Sequence, residues 1–163
     1  MTRLALLLVL LTGCGNYDIS VNDQVIYDAP AIFLDFDLPD EALQTCVKQR
    51  IMDLRLRLPE ALIDLNCSNA GIESLEGIAL FRNIERLKLS SNRIRNLMAL
   101  TKLSGLHALW LDDNVVIDPV PLTALSDLRT LNLADNDSLQ CPKTGLLDHV
   151  ETLTLPTHCG ERT

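Results

Sequence analysis

Between Leu62 and Leu155 the apolar positions of the chain recur every 22 residues without a slip. Counting from Leu62, column one holds Leu62, Ile84, Leu106, Leu128 and Val150, and column four holds Leu65, Leu87, Leu109, Leu131 and Leu153. Column six holds Cys67, Leu89, Leu111, Leu133 and Leu155. Columns four and six flank a mostly polar column five, the alternation of one short strand buried on one face. Further apolar columns form a returning arm: Ile72, Ile94 and Val116, then Ile78, Leu100 and Leu122, then Phe81, Leu103 and Leu125. Such a unit leaves an apolar edge that only a neighbouring unit can cover, so stability has to come from stacking. In the third unit Asp118-Pro119-Val120-Pro121-Leu122 predicts an extended rather than helical arm, because proline removes a backbone donor and restricts the residue before it. Upstream, Pro39-Asp40-Glu41 opens a stretch with Leu43, Cys46, Val47 and Ile51 at helical spacing. Its acidic start suits the positive end of a helix dipole.

Column nine reads Ala70, Asn92, Asn114, Asn136 and His158. With columns one, four and six it resembles the L-x-x-L-x-L-x-x-N signature of leucine-rich repeats. The resemblance implies an α/β solenoid: short parallel strands on a concave face, irregular, 3-10 or helical return arms, and an N-terminal cap helix like those before many bacterial leucine-rich repeats. It also implies that Asn92, Asn114 and Asn136 form a ladder whose side-chain amides satisfy buried backbone groups of neighbouring coils. The repeats start at 62, 84, 106, 128 and 150 and fill 62–155. A cap with its helix occupies 38–61, and 156–163 is a C-terminal tail. The pattern weakens at both ends, with Ala70 at the first ladder position and Cys141 and Thr144 in the fourth arm. Terminal repeats are atypical because one side meets a cap or solvent.

The N-terminus carries an address. Arg3 precedes the apolar run Leu4 to Leu11, which is far shorter than the ~18–20 residues needed to cross a bilayer. The run ends in Leu11-Thr12-Gly13-Cys14, which resembles the lipobox of bacterial lipoproteins. That resemblance implies a signal peptide at 1–13, lipid attachment at Cys14, and a lipidated tether over 14–37. Gly15 rather than Asp after the cysteine implies the outer membrane. The competing reading is an ordinary secretory signal cut at Gly13. Within the tether Val25, Ile26, Tyr27, Ile32 and Phe33 suggest that part of it packs on the cap. Loss of Arg3 takes the formal charge from -8 to -9, and an acidic chain is repelled by phosphate backbones, so nucleic acid is not an expected partner. A monomer held to the membrane by its lipid is expected.

With Cys14 set aside, Cys46, Cys67, Cys141 and Cys159 remain, in an oxidising export compartment. Coils stacked at about 4.8 Å separate repeats one and four by roughly 14 Å, whereas bridged cysteines need Cα atoms within about 7 Å. Cys46 with Cys67 and Cys141 with Cys159 is the connectivity that survives. Free thiols, or a Cys/His zinc site using His158, are the competing readings, although C-x-x-C spacing is absent.

Catalytic signatures do not emerge from the sequence. Asp112-Asp113-Asn114 resembles a fragment of a calcium loop without its glycine or distal glutamate. The three histidines fall in different coils, and phosphate-binding, dinucleotide and serine-hydrolase motifs are missing. No enzyme, cofactor or metal is expected. Strand columns three, five, seven and eight are expected to point outward on the concave face. The single tryptophan, Trp110, is expected to lie exposed there beside Arg86, Lys88 and Asp112, with Asn132 on the next strand. These five residues are the candidate binding face for a protein or glycan, because exposed aromatics with adjacent arginine are enriched at binding hot spots. The alternatives are a structural envelope scaffold with no discrete ligand and an unrecognised enzyme.

Overall fold

In a computed structural model the described residues are 19–21, 24–27 and 31–160. The segment 1–13 read as a signal peptide, and Cys14 read as the lipid attachment site, lie outside them. Two compact units divide the chain, with the boundary after Ala31. In the first, β1 (Ile19–Val21) pairs antiparallel with β2 (Gln24–Tyr27).

The second unit begins with α1 (Glu41–Leu54) and continues through β3 (Asp64–Asn66), β4 (Arg86–Lys88), β5 (Ala108–Trp110), β6 (Thr130–Asn132) and β7 (Thr152–Thr154). The last five strands form one parallel sheet in sequence order. Each strand residue pairs with the residue 22 positions on: Leu65 with Leu87, Leu87 with Leu109, Leu109 with Leu131, and Leu131 with Leu153. Short 3-10 helices at Ile78–Leu80, Met98–Lys102 and Val120–Ala124 carry the return arms. Those tight turns let each arm keep pace with a strand only three residues long.

The third arm corrects the expectation drawn from its prolines. Val120–Ala124 is helical, and Pro121 sits in its first turn, where the missing N–H has no intrahelical acceptor to serve. Asp118 completes the turn by accepting the Val120 N–H at 2.9 Å.

One continuous apolar core runs the length of the stack. Leu87, Leu89, Leu109, Leu111, Leu122 and Leu125 are all fully buried, each worth roughly 1.5–3 kcal/mol over an exposed side chain. The asparagine ladder lies beside it. Asn114 Oδ1 accepts the Ile94 N–H at 3.0 Å, and its amide donates to Leu89 O at 2.9 Å and Leu111 O at 3.0 Å. Asn92 and Asn136 repeat the pattern one coil either side. Each ladder residue serves the coil before it, which is why repeat one functions with Ala70. In repeat five His158 takes the place, its Nε2 3.0 Å from Leu139 O.

Column eight faces solvent, with Asn69, Asp113 and Asp135 exposed and Ser91 half-buried, and it has a second role that spacing did not indicate. Asn69, Ser91, Asp113 and Asp135 all have positive φ, between 54° and 59°. They turn the chain off the strand through the left-handed region, which Asn and Asp tolerate better than other side-chain-bearing residues.

The N-terminal edge is closed by α1. Leu43, Val47 and Ile51, one stripe at helical spacing, are fully buried. Asp40 caps the helix by accepting the Leu43 N–H at 2.9 Å, and Arg55 ends it in a left-handed conformation. Cys46 and Cys67 are bridged with Cα atoms 5.8 Å apart, which staples α1 to β3. Cys141 and Cys159 are bridged at 5.3 Å and tie the fourth arm to the tail. Phe33 stacks on Phe36, which meets the buried Phe81 edge-on at 5.2 Å. Ile32, Phe33 and Phe36 therefore pack on the core although they fall within the stretch read as tether. At Gly77, with φ of 85°, a Cβ would stand 2.7 Å from Leu38 Cδ2, so a side chain there would strain the backbone and displace Leu38.

Candidate binding face

Columns three and five of the strands face away from the leucine core. The parallel register sets Asp64 beside Arg86, and it aligns Asn66, Lys88, Trp110 and Asn132 in one row across four strands. Neighbours in such a row stand about 4.8 Å apart, within reach of one another's side chains. Arg86 accordingly pairs with the Asp64 carboxylate through Nε and its terminal nitrogen. That hydrogen bond, with the charge attraction behind it, raises the Arg86 guanidinium above its ordinary pKa. Lys88 places Nζ 5.1 Å from the centre of the Trp110 ring, within the range of a cation–π contact.

Trp110 is half-buried rather than exposed, because Lys88 lies over one side and the Asn132 strand adjoins the other. Its environment divides the five candidate residues into two groups. Arg86, Lys88 and Trp110 border a depression of about 660 Å³, whose opposite wall is the second half of α1. Asp112 and Asn132 do not reach it. Asp112 Oδ1 accepts from Ser90 Oγ at 2.8 Å and from Asn132 Nδ2 at 3.0 Å, and Asn132 Oδ1 in turn accepts the Ala134 N–H at 3.1 Å. These two side chains bind their own neighbours and hold strand ends together.

The wall from α1 supplies Gln49, Arg50 and Asp53, which sequence reasoning did not single out. They lie off the buried Leu43–Val47–Ile51 stripe, so the helical period alone marked them as polar-face residues. Nothing local said that this face would overlook the sheet. Arg50 Nε donates to the Asp64 carbonyl oxygen at 3.2 Å, and the Gln49 amide donates to Asp53 Oδ1 at 2.7 Å. Arg50, Arg86 and Lys88 against Asp53 and Asp64 leave the depression at net +1, in a chain whose formal charge is -8.

Cys141, His158 and Cys159 bring their ligand-type atoms within 4.8 Å of one another, the one such group among the described residues. With the two sulfurs joined as a disulfide, neither is a thiolate available to a metal.

The comparisons agree with this architecture. A family model described as the endo-beta-N-acetylglucosaminidase EndoS LRR domain matches residues 38–155. No curated protein matches the chain. Among solved structures, an internalin (inlF) from Listeria monocytogenes superposes with a TM-score of 0.64 at 21% identity, over 80% of this chain and 40% of that one. The functional domain of InlJ from the same organism, described as including a cysteine ladder, gives 0.57 at 22% identity, over 72% and 26%. An internalin C2 (inlC2), also from Listeria monocytogenes, gives 0.50 at 22% identity, over 75% and 66%. At these identities the likeness is one of fold. The chain spans about two fifths of the first internalin and about a quarter of the second.

Proposed function

This chain belongs to the family of the endo-beta-N-acetylglucosaminidase EndoS LRR domain, and we propose that it is a bacterial envelope-anchored interaction module that binds through its concave face. The observation that carries the reading is the depression between α1 and β3–β5, where Trp110, Lys88 and Arg86 converge with Arg50. Trp and Arg are the residue types that dominate binding energy at interfaces, and a concave, partly desolvated setting strengthens them. The match to an enzyme's repeat domain, rather than to its catalytic part, favours recognition over chemistry.

Five strands at about 4.8 Å by roughly 15 Å of strand length give a face of about 300 Å², against about 800 Å² per partner at a stable interface. A tight protein partner therefore also engages the loops or the cap. Anchoring rests on Leu11-Thr12-Gly13-Cys14. A diacylglycerol and an amide-linked chain at Cys14 would hold the module at the membrane, with Gly15 directing it to the outer membrane.

Two measurements test the reading. Cross-linking in intact envelopes, followed by capture, should yield a partner that Trp110→Ala and Lys88→Ala each lose; a partner set unchanged in both variants removes the face from consideration. Intact mass of the protein from native membranes should show a chain starting at Cys14 with its acyl mass. A Cys14→Ser variant should leave the membrane fraction.

A further inference from the structure

We propose that the depression between α1 and β3–β5 takes an acidic peptide segment, with its carboxylates met by Arg50 and Lys88. The proposal rests on the concave-face reading above and adds the chemical class of the ligand. Its first support is the supply of donors. Of the two acids of the depression, Asp64 is paired with Arg86, and Asp53 accepts the Gln49 amide at one of its two oxygens. The cations are not engaged in the same way. Arg50 commits Nε to a backbone carbonyl and has no carboxylate within ion-pair distance among the described residues. Its terminal amino groups remain free to grip a carboxylate with two parallel hydrogen bonds. Lys88 also lacks a carboxylate partner among the described residues, and its ammonium rests on the Trp110 ring. Asn66 uses its carbonyl oxygen on the Ser68 N–H at 3.2 Å, which leaves its NH₂ as a further donor. A site whose spare donors outnumber its spare acceptors matches a ligand rich in acceptors: carboxylates and peptide carbonyls.

The indole points to the same ligand. A sugar ring is commonly gripped by stacking its C–H face on a bare aromatic plate, but here an ammonium lies over the Trp110 ring. Sugar hydroxyls also donate as well as accept, and of the two acids only Asp53 keeps a carboxylate oxygen free to receive them. The charge balance restricts the ligand further. A net +1 depression in a chain of charge -8 attracts one or two carboxylates at contact range. A long polyanion reaches beyond it into repulsion that extends over a Debye length of about 8 Å at physiological salt. A volume of about 660 Å³ suits a few residues of peptide.

The single tryptophan gives a built-in reporter. The probe is a blocked hexapeptide with two glutamates separated by one residue; the comparisons are its glutamine counterpart and a glucuronate-containing disaccharide. The acidic peptide should change Trp110 fluorescence saturably, and polarisation of a dye-labelled copy should give the same affinity. Lys88→Gln and Arg50→Gln should each weaken polarisation-measured binding about tenfold, and the glutamine peptide should bind at least about tenfold more weakly. Lys102→Gln, on a return arm, should leave it unchanged. Binding should also fall as salt rises from about 50 to about 500 mM. The proposal is overturned by no saturable response to the acidic peptide, by equal binding of the glutamine peptide, or by tighter binding of the disaccharide. A cross-linked partner that Trp110→Ala loses but excess acidic peptide does not displace would sink the peptide assignment and leave the face intact. A partner retained by Trp110→Ala would sink the face itself.

Discussion

The Asp40 carboxylate accepts the Ser74 N–H at 2.8 Å, which ties the N-terminus of α1 to the first return arm. The same carboxylate accepts the Glu73 N–H at 2.8 Å and the Leu43 N–H at 2.9 Å. Burial pushes the Asp40 pKa up, but backbone hydrogen bonds led by Leu43, Ser74 and Glu73 outweigh it and hold the group below its ordinary value. The sign follows from that direction. A depressed carboxyl stabilises the fold fully above its unfolded pKa of about 3.9, and that contribution fades as pH falls through the lower folded value. Asp40→Ala should cost about 1–2 kcal/mol at neutral pH. In thermal melts, its gap from the parent should narrow below about pH 4. A gap that stays constant into strong acid would show that the carboxylate charge is not the stabilising element.

Asn114, buried in the stack, accepts the Ile94 N–H and donates to the carbonyls of Leu89 and Leu111. Asn114→Ala strands the buried Ile94 N–H and takes one of two side-chain donors from Leu89 O and Leu111 O, which Asn92 and Asn136 still serve, so a loss of about 1–3 kcal/mol is expected. Asn96 is exposed and makes one local bond to the Met98 N–H. Asn96→Ala should cost less than about 1 kcal/mol. Urea unfolding of the two variants side by side measures the contrast.

The two disulfides differ in access. Cys67 is buried and Cys46 half-buried, whereas Cys141 is exposed and Cys159 half-buried. Thiol exchange requires the attacking thiolate to reach a sulfur. Graded dithiothreitol followed by alkylation and peptide mapping should therefore label Cys141 and Cys159 before Cys46 and Cys67. Loss of the Cys46–Cys67 bridge, which closes a separation of 21 residues, should lower stability by about 3 kcal/mol.

Asp112 and Trp110 should separate stability from binding. Asp112 binds Ser90 and Asn132, so Asp112→Ala should lower stability by roughly 1–3 kcal/mol and leave ligand affinity at the depression little changed. Trp110→Ala should weaken binding by about tenfold or more. Calorimetric unfolding and a peptide titration on both variants would show the two effects swapped if Asp112 contacts ligand.

Much of the site was legible because the period fixes orientation. Once Leu87 and Leu109 are placed inward, Arg86, Lys88, Trp110 and Asn132 must point outward, and the parallel register makes them neighbours. Where the reasoning stopped short, the cause was physical in each case. Trp110 is half-buried, with the Lys88 ammonium over its ring, a choice among rotamers that spacing does not specify. The third arm is helical because proline is tolerated in a first turn, so its presence did not exclude a short 3-10 helix. Column eight turns the chain because the strand must give way to the ladder asparagine, which stands four residues past the strand end. Its Asn, Ser, Asp and Asp were a signal for left-handed backbone that could have been read.

By itself the sequence determined the solenoid, its register, the ladder and the helix that caps it. These follow from local periodicity and from contacts between residues one repeat apart, which a strict period repeats without further information. Tertiary structure alone decided where the far half of α1 comes to rest. That position depends on how Leu43, Val47 and Ile51 seat on the first coil, on Leu38 closing over Gly77, and on the Cys46–Cys67 bridge. It brings Arg50 within 3.2 Å of the Asp64 carbonyl oxygen and turns one end of an open concave face into a walled depression. A contact made by the packing angle of a unique cap has no periodic image in the chain, so only the folded molecule shows it.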